Sequence, residues 1–154
     1  MYLSLNFDQI DYNRFFITDI TRNTVMDNSI FKRLTYSTEN ITFNGLCVVT
    51  DFDAYNIEKY YQKYKCVFDS TINRNIIQNI NLLERNILSK NVVSGKTPKY
   101  SIGDQLQSGF IKVFLENSSM CRDNQYIILK ISGIWESSLE YGVTFKFIVL
   151  SHQL

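Results

Sequence analysis

The stretch that decides the fold runs from Ile128 to Leu150 and reads ILKISGIWESSLEYGVTFKFIVL. Two apolar runs, rich in β-branched and aromatic residues, flank the short polar insert ESSLEY, and such runs are typical of β-strands. Gly133 precedes Trp135, the only tryptophan of the chain, and a glycine inside a strand marks a bulge or bend. Gly142 follows the insert, where a positive φ would help the chain return. We therefore predict a bent β-hairpin.

Working outward, further runs of the same composition predict more strands. Together with the two arms of the hairpin, the predicted strands are Arg14–Arg22, Ile30–Ser37, 39–52, Ser108–Glu116, Gln125–Glu136 and Gly142–Leu150. Asn44 and Gly45 interrupt the third run and predict a bulge or tight turn inside it.

The middle of the chain changes to a helical period. Between residues 53 and 68, apolar or aromatic side chains recur at Ala54, Ile57, Tyr61 and Tyr64, which predicts a helix that Asp53 would cap. A second helix is predicted within Ser70–Asn91. Its apolar stripe consists of Ile72, Ile76, Ile80, Leu83 and Ile87. Residues 92–104, with the only proline, predict a loop.

The order of predicted elements is three strands, two helices and three strands. This order indicates an α+β fold that is mainly antiparallel β. We expect one domain over residues 1–154, an oligonucleotide/oligosaccharide-binding (OB)-like barrel of five or six strands. The helices would be inserted after the third strand, at about residues 53–91. The alternative is an open sheet with two helices packed on one face.

Composition excludes several classes of protein. The net charge is +1 and no block of like charges occurs, so a polybasic tail is excluded and anion binding must come from local clustering. Cys47, Cys66 and Cys121 form no C-x-x-C pair, so we expect reduced thiols and no metal site. No secretory signal and no membrane-spanning run is recognisable, and we expect a cytoplasmic protein without membrane contact.

Catalytic groups are sparse. The one histidine, His152, has no convincing nucleophile partner, and no glycine-rich phosphate-binding motif occurs. Asp51 and Asp53 form a D-x-D that could hold Mg²⁺, although Asp53 is better explained as a helix cap. We therefore expect no enzyme activity and no cofactor.

The late strands share a pattern that points to binding. Since side chains alternate along a strand, each predicted strand has one apolar face and one face with a single lysine: Lys112, Lys130 or Lys146. These lysines would form a basic stripe, with the aromatic residues Phe110, Phe114 and Tyr126 beside it. Cations that neutralise a backbone and rings on which bases stack are what single-stranded nucleic acid requires. The alternative is that the lysines keep the sheet soluble and the phenylalanines lie in the core.

Three further residues extend this hypothesis. Lys32 and Arg33 belong to a second aromatic and basic cluster on the Ile30–Ser37 strand. Trp135 is either a core anchor at the mouth of the barrel or a stacking surface.

The segment SGIWESSLEYGVTFKF, residues 132–147, resembles the C-terminal hairpin of a family of single-stranded-DNA-binding proteins from large cytoplasmic DNA viruses. The resemblance implies an OB fold and binding of single-stranded DNA. It carries over Gly133, Trp135, Gly142 and Lys146 as family-like positions. The size and asparagine-rich composition are also similar to proteins of yeast cytoplasmic linear (killer) plasmids. Related phage proteins end in an acidic tail that recruits partners, whereas this chain ends in IVLSHQL.

From these observations we expect a protein that binds single-stranded DNA without sequence preference during replication of a viral or plasmid genome. Replication proteins and a second copy of the chain are partners that the interpretation leaves open. The alternative is a small structural or interaction subunit of a replication or transcription complex that does not itself touch DNA.

Overall fold

A computed structural model describes residues 3–22, 28–116 and 125–151, and within these ranges it contains ten β-strands and two α-helices. Two short 3-10 helices, Phe7–Gln9 and Tyr12–Arg14, come first. The strands are β1 (Phe15–Arg22), β2 (Ile30–Ser37), β3 (Thr42–Asn44), β4 (Leu46–Thr50), β5 (Tyr55–Tyr60), β6 (Lys63–Phe68), β7 (Thr97–Lys99), β8 (Phe110–Leu115), β9 (Gln125–Glu136) and β10 (Glu140–Ser151). The helices are α1 (Arg74–Ser89) and α2 (Ser101–Gln107).

All ten strands belong to one mixed, largely antiparallel sheet with the order β1-β2-β9-β10-β8-β6-β5. Three strands pair beside this path: β3 with β2, β4 with β9, and β7 with β10. Only β7 and β8 run parallel to β10 among the described strands. The prediction of an α+β, mainly β fold is confirmed.

The opening stretch forms the predicted hairpin, β9–β10, and this hairpin lies at the centre of the sheet. Its register shifts because Gly133 pairs with Thr144 while Ile131 pairs with Phe145, so β9 carries one extra residue. The bulge predicted at Gly133 is therefore confirmed. The prediction of a positive φ at Gly142 is wrong, since the glycines with positive φ in the described ranges are Gly45, Gly95 and Gly109. Gly45 interrupts the third predicted strand, as expected, and separates β3 from β4.

Both helices pack on one face of the sheet and enclose the core. The apolar stripe of α1 is buried at Ile76, Ile80, Leu83 and Ile87, which confirms the second predicted helix. Ile72, predicted as the first residue of this stripe, precedes α1 and is exposed, so that part of the prediction is wrong. These side chains share one cluster with the inward residues of the central strands. The inward residues are Ile111 and Val113 of β8, Ile127, Leu129 and Ile131 of β9, and Val143, Phe147 and Val149 of β10. Burial of each such side chain stabilises the fold by about 1.5–3 kcal/mol relative to exposure.

The first predicted helix is wrong, because residues 55–68 form the β5–β6 hairpin. Their spacing fits a helical stripe, but the segment is rich in aromatic and β-branched residues that favour a pleated, half-buried surface. Inward positions alternate at Tyr55 and Ile57 and again at Cys66 and Phe68, and β6 gains a ladder of hydrogen bonds with β8. The helical insertion predicted at 53–91 is thus half hairpin and half helix.

The predicted barrel is also wrong. The sheet is not closed: β1 and β5 stand at opposite ends of its strand order. Residues 92–104, predicted as a loop, contain β7 and most of the α2 first turn. The alternative of an open sheet with helices on one face describes the structure better. Neither described helix has both the length and the apolar character needed to cross a bilayer.

Candidate nucleic-acid interface

Four lysines lie side by side on the face of the sheet that points away from the helices. We call Lys65, Lys112, Lys146 and Lys130, on β6, β8, β10 and β9, the lysine row. Lys65 lies directly opposite Lys112 in the β6–β8 pair, and Lys146 lies directly opposite Lys130 in the β9–β10 pair. The two pairs meet at Phe114, whose ring centroid is 5.4 Å from Lys112 Nζ and 5.3 Å from Lys146 Nζ. The structure therefore brings together the three lysines predicted to share a face and adds Lys65 to them.

The lysine row concentrates positive charge in a chain that is almost neutral overall. Neighbouring strands lie about 4.8 Å apart, so four strands carry the row over roughly 14 Å. Glu58 lies 3.7 Å from Lys65 and offsets one of the four charges. Like charges directly opposite each other on a sheet destabilise it. The row therefore opposes folding electrostatically and attracts anions.

Exposed aromatic rings accompany the row. Phe110 and Phe114 are 43% and 42% exposed, and Lys65 Nζ lies 5.5 Å from the Phe110 ring centroid. Lysines above the rings contribute about 0.5–1 kcal/mol each at exposed sites through cation–π attraction. Both phenylalanines therefore lie outside the core, contrary to the alternative that assigned them to it. Their rings can contact a ligand beside the cations.

The exposed surface ends on one side of the row. Ile128 and Ile148, the next positions along the same face, are buried. Tyr126, opposite Leu150, lies beyond them and is half-buried. Tyr126 is thus farther from the lysines than the sequence pattern predicted.

On the other side of the row, two aromatic rings lie flat on glycines. A Cβ at Gly142 would come within 2.7 Å of the Trp135 ring, and a Cβ at Gly133 within 2.6 Å of the Phe31 ring. Phe31 and Trp135 are themselves opposite each other on β2 and β9. Trp135 shares the face of the lysine row, because its partner Gly142 and Lys146 are four residues apart on β10. Both rings are half-buried, so the two glycines serve to seat an aromatic surface rather than to make a turn.

Lys32 and Arg33 have different positions. Lys32 points to the helix side, where its Nζ lies 2.7 Å from Glu136 and donates to Asn91 Oδ1 at 3.0 Å. Lys96 contacts the same carboxylate at 2.6 Å, and hydrogen bonds from Lys32 and Lys96 lower the pKa of Glu136. The structure therefore separates Lys32 from the lysine row and gives it a structural ion pair. Arg33 lies opposite Gly133 on the row's face, with Asp19 at 3.8 Å.

A cleft of about 480 Å³ lies between α1 and α2, away from the lysine row. Glu84 is buried at this interface, and burial raises the pKa of its carboxyl group. Both of its carboxylate oxygens accept backbone hydrogen bonds, from Ile102 at 3.0 Å and Gly103 at 2.9 Å. A carboxylate with both oxygens engaged holds the start of α2, and we assign it a structural role.

The metal hypothesis gains no support. Within the described ranges no group of histidine, cysteine or acidic side chains is arranged to hold a metal ion. Asp53 precedes a strand instead of a helix, so its predicted capping role is wrong, and its backbone N–H donates to Asn73 Oδ1 at 2.7 Å. Cys121 and His152 lie outside the described residues.

Sequence reasoning missed the part of the interface that β6 contributes. The helical period predicted for residues 53–68 assigns Lys65 to a helix. The segment also alternates with period two, with Lys63, Lys65 and Val67 on one side and Tyr64, Cys66 and Phe68 on the other. That alternation was the signal for a strand with one basic face.

Comparisons with known proteins do not assign a function to this chain. The resemblance of residues 132–147 to single-stranded-DNA-binding proteins stays a prediction. No protein-family model, curated protein or solved structure matches this chain.

Proposed function

We propose that the face bearing the lysine row binds single-stranded DNA without sequence preference. The observation that carries this proposal is the row itself, four cations directly side by side across neighbouring strands. Repulsion among the four neighbouring cations lowers the stability of the free protein, and a bound polyanion would offset this repulsion. Phosphates would pair with Lys65, Lys112, Lys130 and Lys146.

The exposed rings support an unpaired ligand over a duplex. Bases of a single strand expose their π-faces and gain about 1–3 kcal/mol each by stacking on aromatic side chains. In a duplex those faces are already stacked and face the interior. Phe110 and Phe114 lie beside the cations, and Phe31 and Trp135 lie farther along the same face. Stacking on rings is tolerant of sequence because every base has a π-face.

The biological role that fits this chemistry is protection of single strands during replication, and the resemblance of residues 132–147 to viral single-stranded-DNA-binding proteins suggests that the genome is that of a virus or plasmid. The protein would act without catalysis, since it would only cover the strand. The competing role is that of a structural or interaction subunit that does not bind DNA. The two roles differ in whether the protein binds single-stranded DNA, which is simple to measure.

Equilibrium titration of fluorescent oligonucleotides tests the proposal. We expect oligo-dT to bind at low ionic strength, with an affinity that falls as salt is added and rises with oligonucleotide length. A duplex of equal length should bind more weakly, and oligo-U measures the preference for DNA over RNA. A structural subunit would ignore all of these ligands at low salt, and that result would exclude the proposal.

A further inference from the structure

The tip of the β5–β6 hairpin exposes two aromatic rings that the fold does not use. Tyr60 and Tyr61 are 47% and 89% exposed, with ring centroids 5.3 Å apart in an edge-to-face arrangement. Tyr61 also has a φ of 55°, a conformation that is unfavourable for bulky L-residues. Glycine would adopt the positive φ with less strain, and a polar side chain would be more favourable at a position exposed to this extent. Neither packing nor turn geometry accounts for tyrosine at position 61.

The tip continues the lysine row. Tyr60 lies opposite Lys63 in the β5–β6 pair, on the face that carries Lys65. Lys65 Nζ lies 5.7 Å from the Tyr60 ring centroid and 5.5 Å from the Phe110 ring centroid. One lysine thus links an exposed ring at the tip to an exposed ring beside the row. Rings and cations alternate without interruption from the hairpin tip to the centre of the sheet.

We infer that the hairpin tip, Tyr60, Tyr61 and Lys63, is a second segment of the binding surface, which receives the nucleotides that extend beyond the lysine row. Bases stack on the two tyrosine rings, and Lys63 neutralises a phosphate between them and the row. This inference rests on the proposed function. A single strand fits because the tip offers flat rings and cations together, the pair of features that an unpaired polynucleotide recognises.

The inference predicts a dependence on ligand length. The row spans roughly 14 Å, which suits a short oligomer of about four nucleotides, near the lower limit of known site sizes. A longer oligomer reaches the tip as well. Removing the Tyr61 ring should therefore weaken binding of an oligomer of about 12 nucleotides and leave a tetramer unaffected.

Tyr61→Gly is the sharpest variant, because it removes the ring and relieves the positive φ, so the hairpin keeps its fold. Ala54→Gly is the matched control, since Ala54 has a φ of 47° at the other end of the hairpin and carries no ring. Affinity of oligo-dT is measured by fluorescence anisotropy with both lengths, and thermal unfolding of each variant is measured in parallel. We expect Tyr61→Gly to bind the 12-mer about fivefold or more weakly, the loss of one stacked base.

The outcomes separate this inference from the proposed function. A normal affinity of Tyr61→Gly for the 12-mer, together with weak binding by Lys146→Gln, overturns the role of the tip and leaves the proposed function standing. Equal losses for both lengths overturn the assignment of the tip as a separate segment. If the native chain binds neither oligomer, the proposed function and the inference fail together.

Discussion

Removing one charge from the centre of the lysine row should reduce DNA affinity without harming the fold. Lys146 is exposed on β10, directly opposite Lys130 and 5.3 Å from the Phe114 ring centroid. Lys146→Gln keeps most of the side-chain length and loses the charge. It relieves like-charge repulsion of about 0.2–1 kcal/mol and loses a cation–π contact of about 0.5–1 kcal/mol. The two changes nearly cancel, so the free energy of unfolding should hardly change.

The salt dependence of binding gives the expected magnitude of the effect of Lys146→Gln. Each phosphate neutralised on a single strand contributes about −0.7 to the slope of log K against log salt, so the four lysines of the row predict about −2.8 for a tetramer, which is too short to reach Lys63. Without Lys146 the slope becomes about −2.1. Raising the salt from about 50 mM to about 200 mM then weakens native binding about 50-fold and the binding of the variant only about 18-fold.

Fluorescence anisotropy with an oligo-dT tetramer at a series of salt concentrations measures both slopes. Lys90→Gln is the control, because Lys90 is exposed at the end of α1 on the helical side and its loss changes the net charge equally. Its slope should equal that of the native chain. Identical slopes for Lys146→Gln and the native chain would refute the assignment of phosphates to the lysine row.

Three further predictions concern the framework of the site. Gly133→Ala places a Cβ 2.1 Å from the backbone oxygen of Lys32 and should destabilise the protein by about 3 kcal/mol in chemical denaturation. Gly103→Ala, inside α2, is the control and should change stability by less than about 1 kcal/mol. Glu136→Gln should cost about 3 kcal/mol at neutral pH, because it leaves two partly buried lysines without their carboxylate. The pKa of Glu136 is lowered in the folded state, so its ion pairs stabilise the protein fully above the ordinary glutamate pKa, and this stabilisation is lost as pH falls through the folded-state pKa. The stabilities of the native chain and of Glu136→Gln should therefore converge in acid. A difference in stability that persists in acid would contradict the ion-pair account. Glu84→Gln leaves one α2 backbone N–H without an acceptor and should lower the melting temperature by an amount equivalent to about 2 kcal/mol, and an unchanged melting temperature would argue against its structural role.

The strands β8, β9 and β10 could be predicted from the sequence because apolar residues alternate with other residues along them, as expected for a β-strand. Apolar residues on one face of β8, β9 and β10 and lysines on the other follow from the two-residue period of a strand, and the structure has both faces as expected. The bulge at Gly133 was also readable, since a glycine inside a long strand has few other roles.

The β5–β6 hairpin could not be predicted with the same rule. Ala54, Ile57, Tyr61 and Tyr64 fit the period of a helix, while Lys63, Lys65 and Val67 fit the period of a strand. The outcome was decided by pairing of β6 with β8, a contact between segments far apart in the chain. Local periodicity does not contain that information.

Closure of the sheet and the orientation of Lys32 depend on tertiary structure in the same way. A count of strands with inserted helices is compatible with both a barrel and an open sheet. Lys32 and Arg33 are adjacent in sequence and therefore point to opposite faces, but which face meets the helices depends on how β2 pairs with β9. Glu136, which pairs with Lys32, lies at the end of β9, and Asn91 and Lys96 lie in the connection between α1 and β7.

Footprinting of lysine amines by acetylation, with and without saturating oligo-dT, tests the central claim most directly. Mass spectrometry then reports the reactivity of each lysine. We predict that bound oligo-dT protects Lys65, Lys112 and Lys146 and leaves Lys90 as reactive as before. Unchanged reactivity of the lysine row in the presence of bound DNA, or protection centred on Lys90, would contradict the account.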